Sequence, residues 1–234
     1  MRGAEKALIS GYKDIGSFCD RMNLTRKISD QAKQYFKIAD AAKLTKGKNN
    51  MAFIAACIYT ACRAGGNTRT LKEICASTGN PRPQPEGSFA IRLSFLKYIL
   101  GVPRREIGRC HKQLVPLIRD QQQLKTISSV DFIARPCSIL GIGPELQKIA
   151  IEVIQKASQI GCNAGKSPLT IAAAAIYLIS LLFPNYAHVQ KDISVVIGVS
   201  ESTFRNAYRE MHLHRHEIIP LVSGITTELI ESLP

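Results

Sequence analysis

Ser202, Thr203, Arg205, Asn206 and Arg209 form a polar row just after Gly198. Arg and Asn can pair bidentately with guanine and adenine edges in a major groove, while Ser and Thr suit bases or phosphates. Such readout needs a helix held at a fixed angle by a second one. Ile193, Ile197, Val199, Phe204 and Ala207 supply apolar contacts on both sides of Gly198. A Gly there lets the backbone cross to positive φ. The spacing over Gln190–Arg209 is that of a helix-turn-helix whose second helix starts near Ser200. An ordinary helical hairpin in an α-bundle has the same spacing, so the pattern alone leaves both readings open.

A second chemical run is Pro103-Arg104-Arg105-Glu106-Ile107-Gly108-Arg109-Cys110-His111-Lys112. Its charge suits acidic side chains or phosphates better than base edges. A solvated charged face would look the same. Gly47-Lys48 and Gly165-Lys166 each precede an Ala-rich apolar stretch. A Lys beside a helix N-terminus favours a phosphate, though both pairs also serve as loop and cap. His212, His214 and His216 are spaced by two, which does not stack ligands on one helical face, so they read as a solvated helix end. No carboxylate pair, nucleophile elbow or phosphate-binding Gly loop occurs. The residues therefore predict no enzyme, no cofactor and no metal site.

The elements that position these groups come in duplicate. Gly47 to Tyr59 returns 118 residues later as Gly165 to Tyr177, which marks a duplicated helical unit. Leu24, Ile28, Ala32, Phe36 and Ala39 likewise face Ile142, Leu146, Ala150, Ile154 and Ala157 with amphipathic-helix spacing. Ala-rich helices follow at Asn49–Arg63 and Pro168–Leu182, the second opened by Ser167 and Pro168 as N-cap and N1. Small residues on nearly every side suit a central helix. Gly101–Ile107 then matches Gly198–Phe204 at an offset of 97, so the first copy carries 22 extra residues at about 80–101. Lead helices are expected near 4–21 and 128–137. The reading is all-α: a first repeat at 1–123, a second at 124–220, and a tail at 221–234 that either docks or frays.

Charge divides along the same line. Residues 1–123 hold 22 Lys and Arg against 9 Asp and Glu, while residues 124–234 hold 9 of each. The whole net charge of +13 thus sits in the first copy, pointing to a polyanion or an acidic protein surface. Seven cysteines, odd in number and without CxxC, fit a reducing compartment rather than a disulfide or zinc framework. No apolar run reaches the length of a membrane span.

Ala56-Cys57-Ile58-Tyr59-Thr60-Ala61-Cys62-Arg63, Arg69-Thr70-Leu71-Lys72-Glu73-Ile74-Cys75, Arg105-Glu106-Ile107-Gly108-Arg109-Cys110 and Gly165-Lys166-Ser167-Pro168 closely resemble the core of the transcription factor IIB family. Asp192-Ile193-Ser194 and Arg205-Asn206-Ala207-Tyr208 are most similar to its plant branch. The resemblance implies two tandem five-helix cyclin-like repeats that clasp the TATA-binding protein on promoter DNA in the nucleus and help assemble the RNA polymerase II preinitiation complex. It implies that Arg63, Arg104, Arg105 and Arg109 meet an acidic surface of the TATA-binding protein. Gly47 and Lys48 would lie on DNA downstream of the TATA element, with Lys166 as a further DNA contact. Ser202, Thr203 and Arg205 would enter the major groove upstream.

Ser202 stands where many members carry Val, which alters the thymine-methyl type of contact. The family's N-terminal zinc ribbon has no counterpart in these residues, so polymerase contact is expected to be weakened and initiation unsupported by this chain alone. The insertion could displace the docking helix, reflect an unspliced stretch or loop out; looping out is expected. A polymerase III factor, a specialised paralogue, or a cyclin-like kinase-binding regulator that ignores DNA are the alternatives.

Overall fold

The computed structural model describes residues 3–45, 50–78, 102–119, 126–183, 190–221 and 225–234. The predicted insertion at about 80–101 and the pair Gly47-Lys48 lie outside them. The chain divides into two compact units, Met1–Thr126 and Ile127–Pro234. Among the described residues every regular element is helical, and the all-α prediction holds.

The first unit contains α1 (Gly3–Arg21), α2 (Arg26–Ala41), α3 (Asn50–Ala64), α4 (Leu71–Thr78) and α5 (Arg104–Ile118). Ala52 to Cys62 of α3 are all buried, because Ala and Cys side chains let α1, α2 and α5 approach from several sides. The buried hydroxyl of Thr60 is satisfied within its own helix, donating to the Ala56 carbonyl at 2.7 Å. Around α3 the apolar stripes of the other helices close the core, with Phe18, Ile28, Phe36, Ile74, Ile107 and Leu114 fully buried.

The second unit opens on a 3-10 turn, Ser129–Phe132, followed by α6 (Ala134–Ile139). This is a correction to the continuous lead helix expected near 128–137. Ser128 and Asp131 form a reciprocal capping box that fixes a tight first turn, and Phe132, Ile133 and Cys137 are buried against the core. Next come α7 (Pro144–Ile160), α8 (Pro168–Leu182), α9 (Gln190–Ile197), α10 (Glu201–Leu213), α11 (Arg215–Ile218) and α12 (Thr227–Glu231). Helix α8 is the central helix here, with Thr170 to Ile176 buried, and the Ser167 side chain accepts from the Thr170 amide as its cap. The tail docks: Ile225, Ile230 and Leu233 are buried in the core of this unit.

The turn between α9 and α10 has the form its sequence requires. The Gly198 amide closes α9 on the Ser194 carbonyl at 2.9 Å, and Gly198 then takes φ +82°. Any L side chain is strained there. Gly198→Ala is expected to destabilise the second unit by about 1–2 kcal/mol. A lowered denaturant midpoint for the α9 and α10 amides in hydrogen exchange is the measurement, and an unchanged midpoint would disprove the strain.

Candidate nucleic-acid and protein interfaces

Helix α10 separates two kinds of residue by its 3.6-residue period. Phe204, Ala207, Tyr208 and Met211 are buried against the core, chiefly by α8. Ser202, Thr203, Arg205, Asn206 and Arg209 are all exposed on the other faces. Sequence spacing thus located the face. The hydroxyls of Ser200, Ser202 and Thr203 cluster at the N-terminal end, with Ser200 bonded to Thr203 and lying 3.3 Å from the Ser202 hydroxyl. That cluster sits where the helix presents its positive end.

Arg205 is anchored. Its Nε donates to the Gln190 side-chain oxygen at 3.1 Å, and Nη2 donates to the same atom. Because guanidinium only donates, Gln190 must turn its oxygen to Arg205 and its NH2 elsewhere. That group donates to the Tyr177 hydroxyl at 2.8 Å. The side-on edge of the guanidinium is thereby fixed by α9, which leaves the Nη1 side of the head directed away from the anchor. Tyr177 in turn meets the Phe204 ring edge-on at 5.8 Å and the Tyr208 ring at 5.0 Å. The Tyr208 hydroxyl donates to the Pro234 carbonyl at 2.6 Å, and burial pushes its pKa up to about 12. A cleft lined by Tyr177, Gln190, Arg205, Tyr208, Arg209 and Pro234 runs along this side.

Lys166 is placed differently from an open phosphate ligand. Its side chain is 17% exposed and its ammonium pairs with Glu210 of α10. The same ammonium lies 3.5 Å from the Cys162 carbonyl. Sequence spacing brings Lys166 to the start of α8 but does not reveal Glu210, which is 44 residues away.

In the first unit Arg104, Arg105 and Arg109 are exposed on α5. Gly108 occupies the position of Arg205, and a Cβ added there would meet nothing within 4 Å. The first copy therefore lacks a guanidinium at a place with room for one. Arg63, on α3, is partly buried, and its Nη1 lies 3.1 Å from His111 Nε2 on α5. The three basic side chains of α5 and the Arg63 head thus belong to two packed helices.

His111 shows how that placement arises. Its ring meets Tyr59 edge-on at 5.0 Å, and its Nδ1 lies 2.9 Å from the Thr60 hydroxyl oxygen. Burial first, and the Arg63 charge second, lower its pKa from 6.5 to about 4, so the ring is neutral near pH 7. Sequence reading missed His111, Thr60, Tyr177, Gln190 and Ser200 as site residues. The repeat offsets contained the signal, since 118 pairs Tyr59 with Tyr177 and 97 pairs His111 with Tyr208.

The histidine-rich segment holds no metal cluster. His212 Nε2 donates to the Leu233 carbonyl at 3.1 Å and His214 Nδ1 lies 3.4 Å from Glu217. Among the described residues no three His, Cys, Asp or Glu converge on one point. All seven cysteines are free thiols. No described helix is long and apolar enough to cross a membrane.

Duplicated helical units, each with an Ala-rich central helix, and a helix-turn-helix in the second define the class: an all-α protein of two tandem cyclin-like repeats. The family model for the transcription factor TFIIB repeat matches residues 4–79 and 122–214. The chain belongs to the transcription factor IIB family. It is 41% identical over its full length to transcription initiation factor IIB of Encephalitozoon cuniculi, spanning 67% of that protein. The Dictyostelium discoideum factor is 37% identical over 92% of this chain, which spans 59% of it. The Glycine max factor is 34% identical over 92% of this chain and 63% of its own length. The first stretch matched by the family ends at residue 79, beside the segment read as inserted.

Proposed function

We propose that this chain is the nucleoprotein-binding core of a transcription initiation factor, with no enzymatic activity of its own. It binds the TATA-binding protein on promoter DNA in the nucleus and contributes to assembly of the RNA polymerase II preinitiation complex. The observation that carries this reading is the exposed row Ser202, Thr203 and Arg205 on a helix set by the Gly198 turn. An anchored Arg on such a helix suits guanine O6 and N7 in a major groove. The first unit supplies a different chemistry. Its surplus of basic residues, with Arg104, Arg105 and Arg109 exposed on one helix, suits the acidic surface of a protein partner. Lys166 contributes to DNA contact by exchanging Glu210 for a phosphate, and Gly47 and Lys48 lie on the same DNA downstream.

The test is a gel shift with the full chain, the TATA-binding protein and a TATA duplex. Binding to the binary complex is expected to be tighter than to either component alone. Arg104→Glu combined with Arg105→Glu should weaken that assembly roughly tenfold or more, because like charges then face each other. Contact with DNA itself should fall with salt, at a log–log slope of about −0.9 per phosphate neutralised. Unchanged assembly by the charge-reversed chain would remove the protein-docking half of the reading. A chain that pulls down a kinase and ignores the TATA complex would replace it with a cyclin-like regulator.

A further inference from the structure

The hydroxyl of Thr60 carries one proton, and that proton goes to the Ala56 carbonyl at 2.7 Å. Towards His111 Nδ1, 2.9 Å away, Thr60 can therefore only accept. Nδ1 must be the protonated ring nitrogen, and Nε2 carries a lone pair. That lone pair faces Arg63 Nη1 at 3.1 Å, where the guanidinium donates. The bond directions thus run in one sense only, from Arg63 to His111 to Thr60 to Ala56, and they select a single neutral tautomer. The Tyr59 ring flanks the same guanidinium, its centroid 5.9 Å from Cζ.

The second copy provides an internal comparison. The edge-on aromatic contact persists, at 5.0 Å and 81° between Tyr59 and His111 and at 5.0 Å and 75° between Tyr177 and Tyr208. The polar trio does not persist. Thr60, Arg63 and His111 are matched by Leu178, Leu181 and Tyr208. Packing alone is thus met by a tyrosine, and an imidazole appears only in the copy that has both an acceptor and a guanidinium to join. A half-buried imidazole without partners would be destabilising, so its presence follows its hydrogen bonds rather than its volume.

We propose that His111 is a positioning residue which, as the Nδ1-protonated tautomer held by Thr60, fixes the Arg63 guanidinium for docking on an acidic partner surface. The inference rests on the reading of Arg63 as a contact to such a surface. Arg has many rotamers, and holding one of them in the free protein removes part of the ordering cost at binding. The bond engages one guanidinium donor and restricts the orientation of the head.

The experiment compares Arg63→Gln, His111→Phe, His111→Gln and the Arg63→Gln/His111→Phe double variant as full chains. Each is titrated against the TATA-binding protein on a TATA duplex. Phe keeps the ring contact with Tyr59 but cannot accept from Arg63; Gln restores an acceptor near the place of Nε2. Arg63→Gln and His111→Phe should each weaken binding about three- to tenfold. The double variant should be no weaker than the singles, and His111→Gln should bind within about twofold of the parent chain. Nitrogen NMR of the parent chain at neutral pH should show Nδ1 protonated and Nε2 bare, a signature that a space-filling role would not produce.

Parent-like binding by His111→Phe beside a weakened Arg63→Gln would overturn the positioning role and leave the docking reading intact. Multiplying losses in the double variant would do the same. A protonated Nε2 would overturn the bond itself. Parent-like binding by Arg63→Gln would overturn the docking reading at this residue and the inference with it.

Discussion

Phe204→Ala is expected to cost the second unit about 3–5 kcal/mol, the range for removing a buried aromatic ring from a packed core. Phe204 has 0% exposure and its ring meets Tyr177 edge-on at 5.8 Å. Part of the loss is the cavity, and about 0.5–1.5 kcal/mol belongs to the aromatic pair. The damage should spread to recognition, because Tyr177 also supports Gln190 and through it Arg205. Hydrogen exchange of α8 and α10 amides in the full chain reads the effect locally, with α3 amides as the internal reference. Two units in one chain make a single unfolding midpoint ambiguous, so a residue-level probe is required. Undiminished protection of α8 and α10 would show that the ring is not part of this core.

The next residue behaves in the opposite way. Arg205→Ala should leave stability within about 0.5 kcal/mol, since the side chain is exposed. It should remove about 1–3 kcal/mol of affinity for the preferred promoter sequence. On other sequences the loss should be small, so the ratio between the best and the average site falls. Competition titrations against duplexes varied at each upstream position measure that ratio. An equal loss on every duplex would mean that Arg205 meets a phosphate instead of a base edge. Gln190 is the reason to expect a base contact. Two donors of the guanidinium converge on one oxygen of α9, which sets the orientation that a bidentate pair requires.

The duplication made most of the fold legible, because a match at fixed offset reports shared packing even where residue types drift. Small residues around Ala52–Cys62 and Ala172–Ala175 announced the central helices, and Gly198 announced the turn. Ser167 and Pro168 announced the start of α8 in the same way. Local capping was harder. Ser128 and Asp131 impose a tighter start on the second repeat than the apolar spacing near 128–137 indicates. The exposed face of α10 was legible for Ser202, Thr203 and Arg205, since periodicity tells which side of a helix is wet. The partners that hold those groups were not. Gln190 lies 15 residues from Arg205, His111 lies 48 from Arg63, and Glu210 lies 44 from Lys166. No period within one helix encodes which polar group faces another across an interface.

The buried tail changes where the second repeat ends. Matching to the family stops at residue 214, yet Ile225, Ile230 and Leu233 fill the floor of that bundle. Tyr208 and His212, both on α10, hand their polar atoms to the backbone of Pro234 and Leu233. A recombinant fragment trimmed at the last matched residue would therefore bare an oily surface and strip two struts from α10. Expression boundaries for this half belong beyond Leu233.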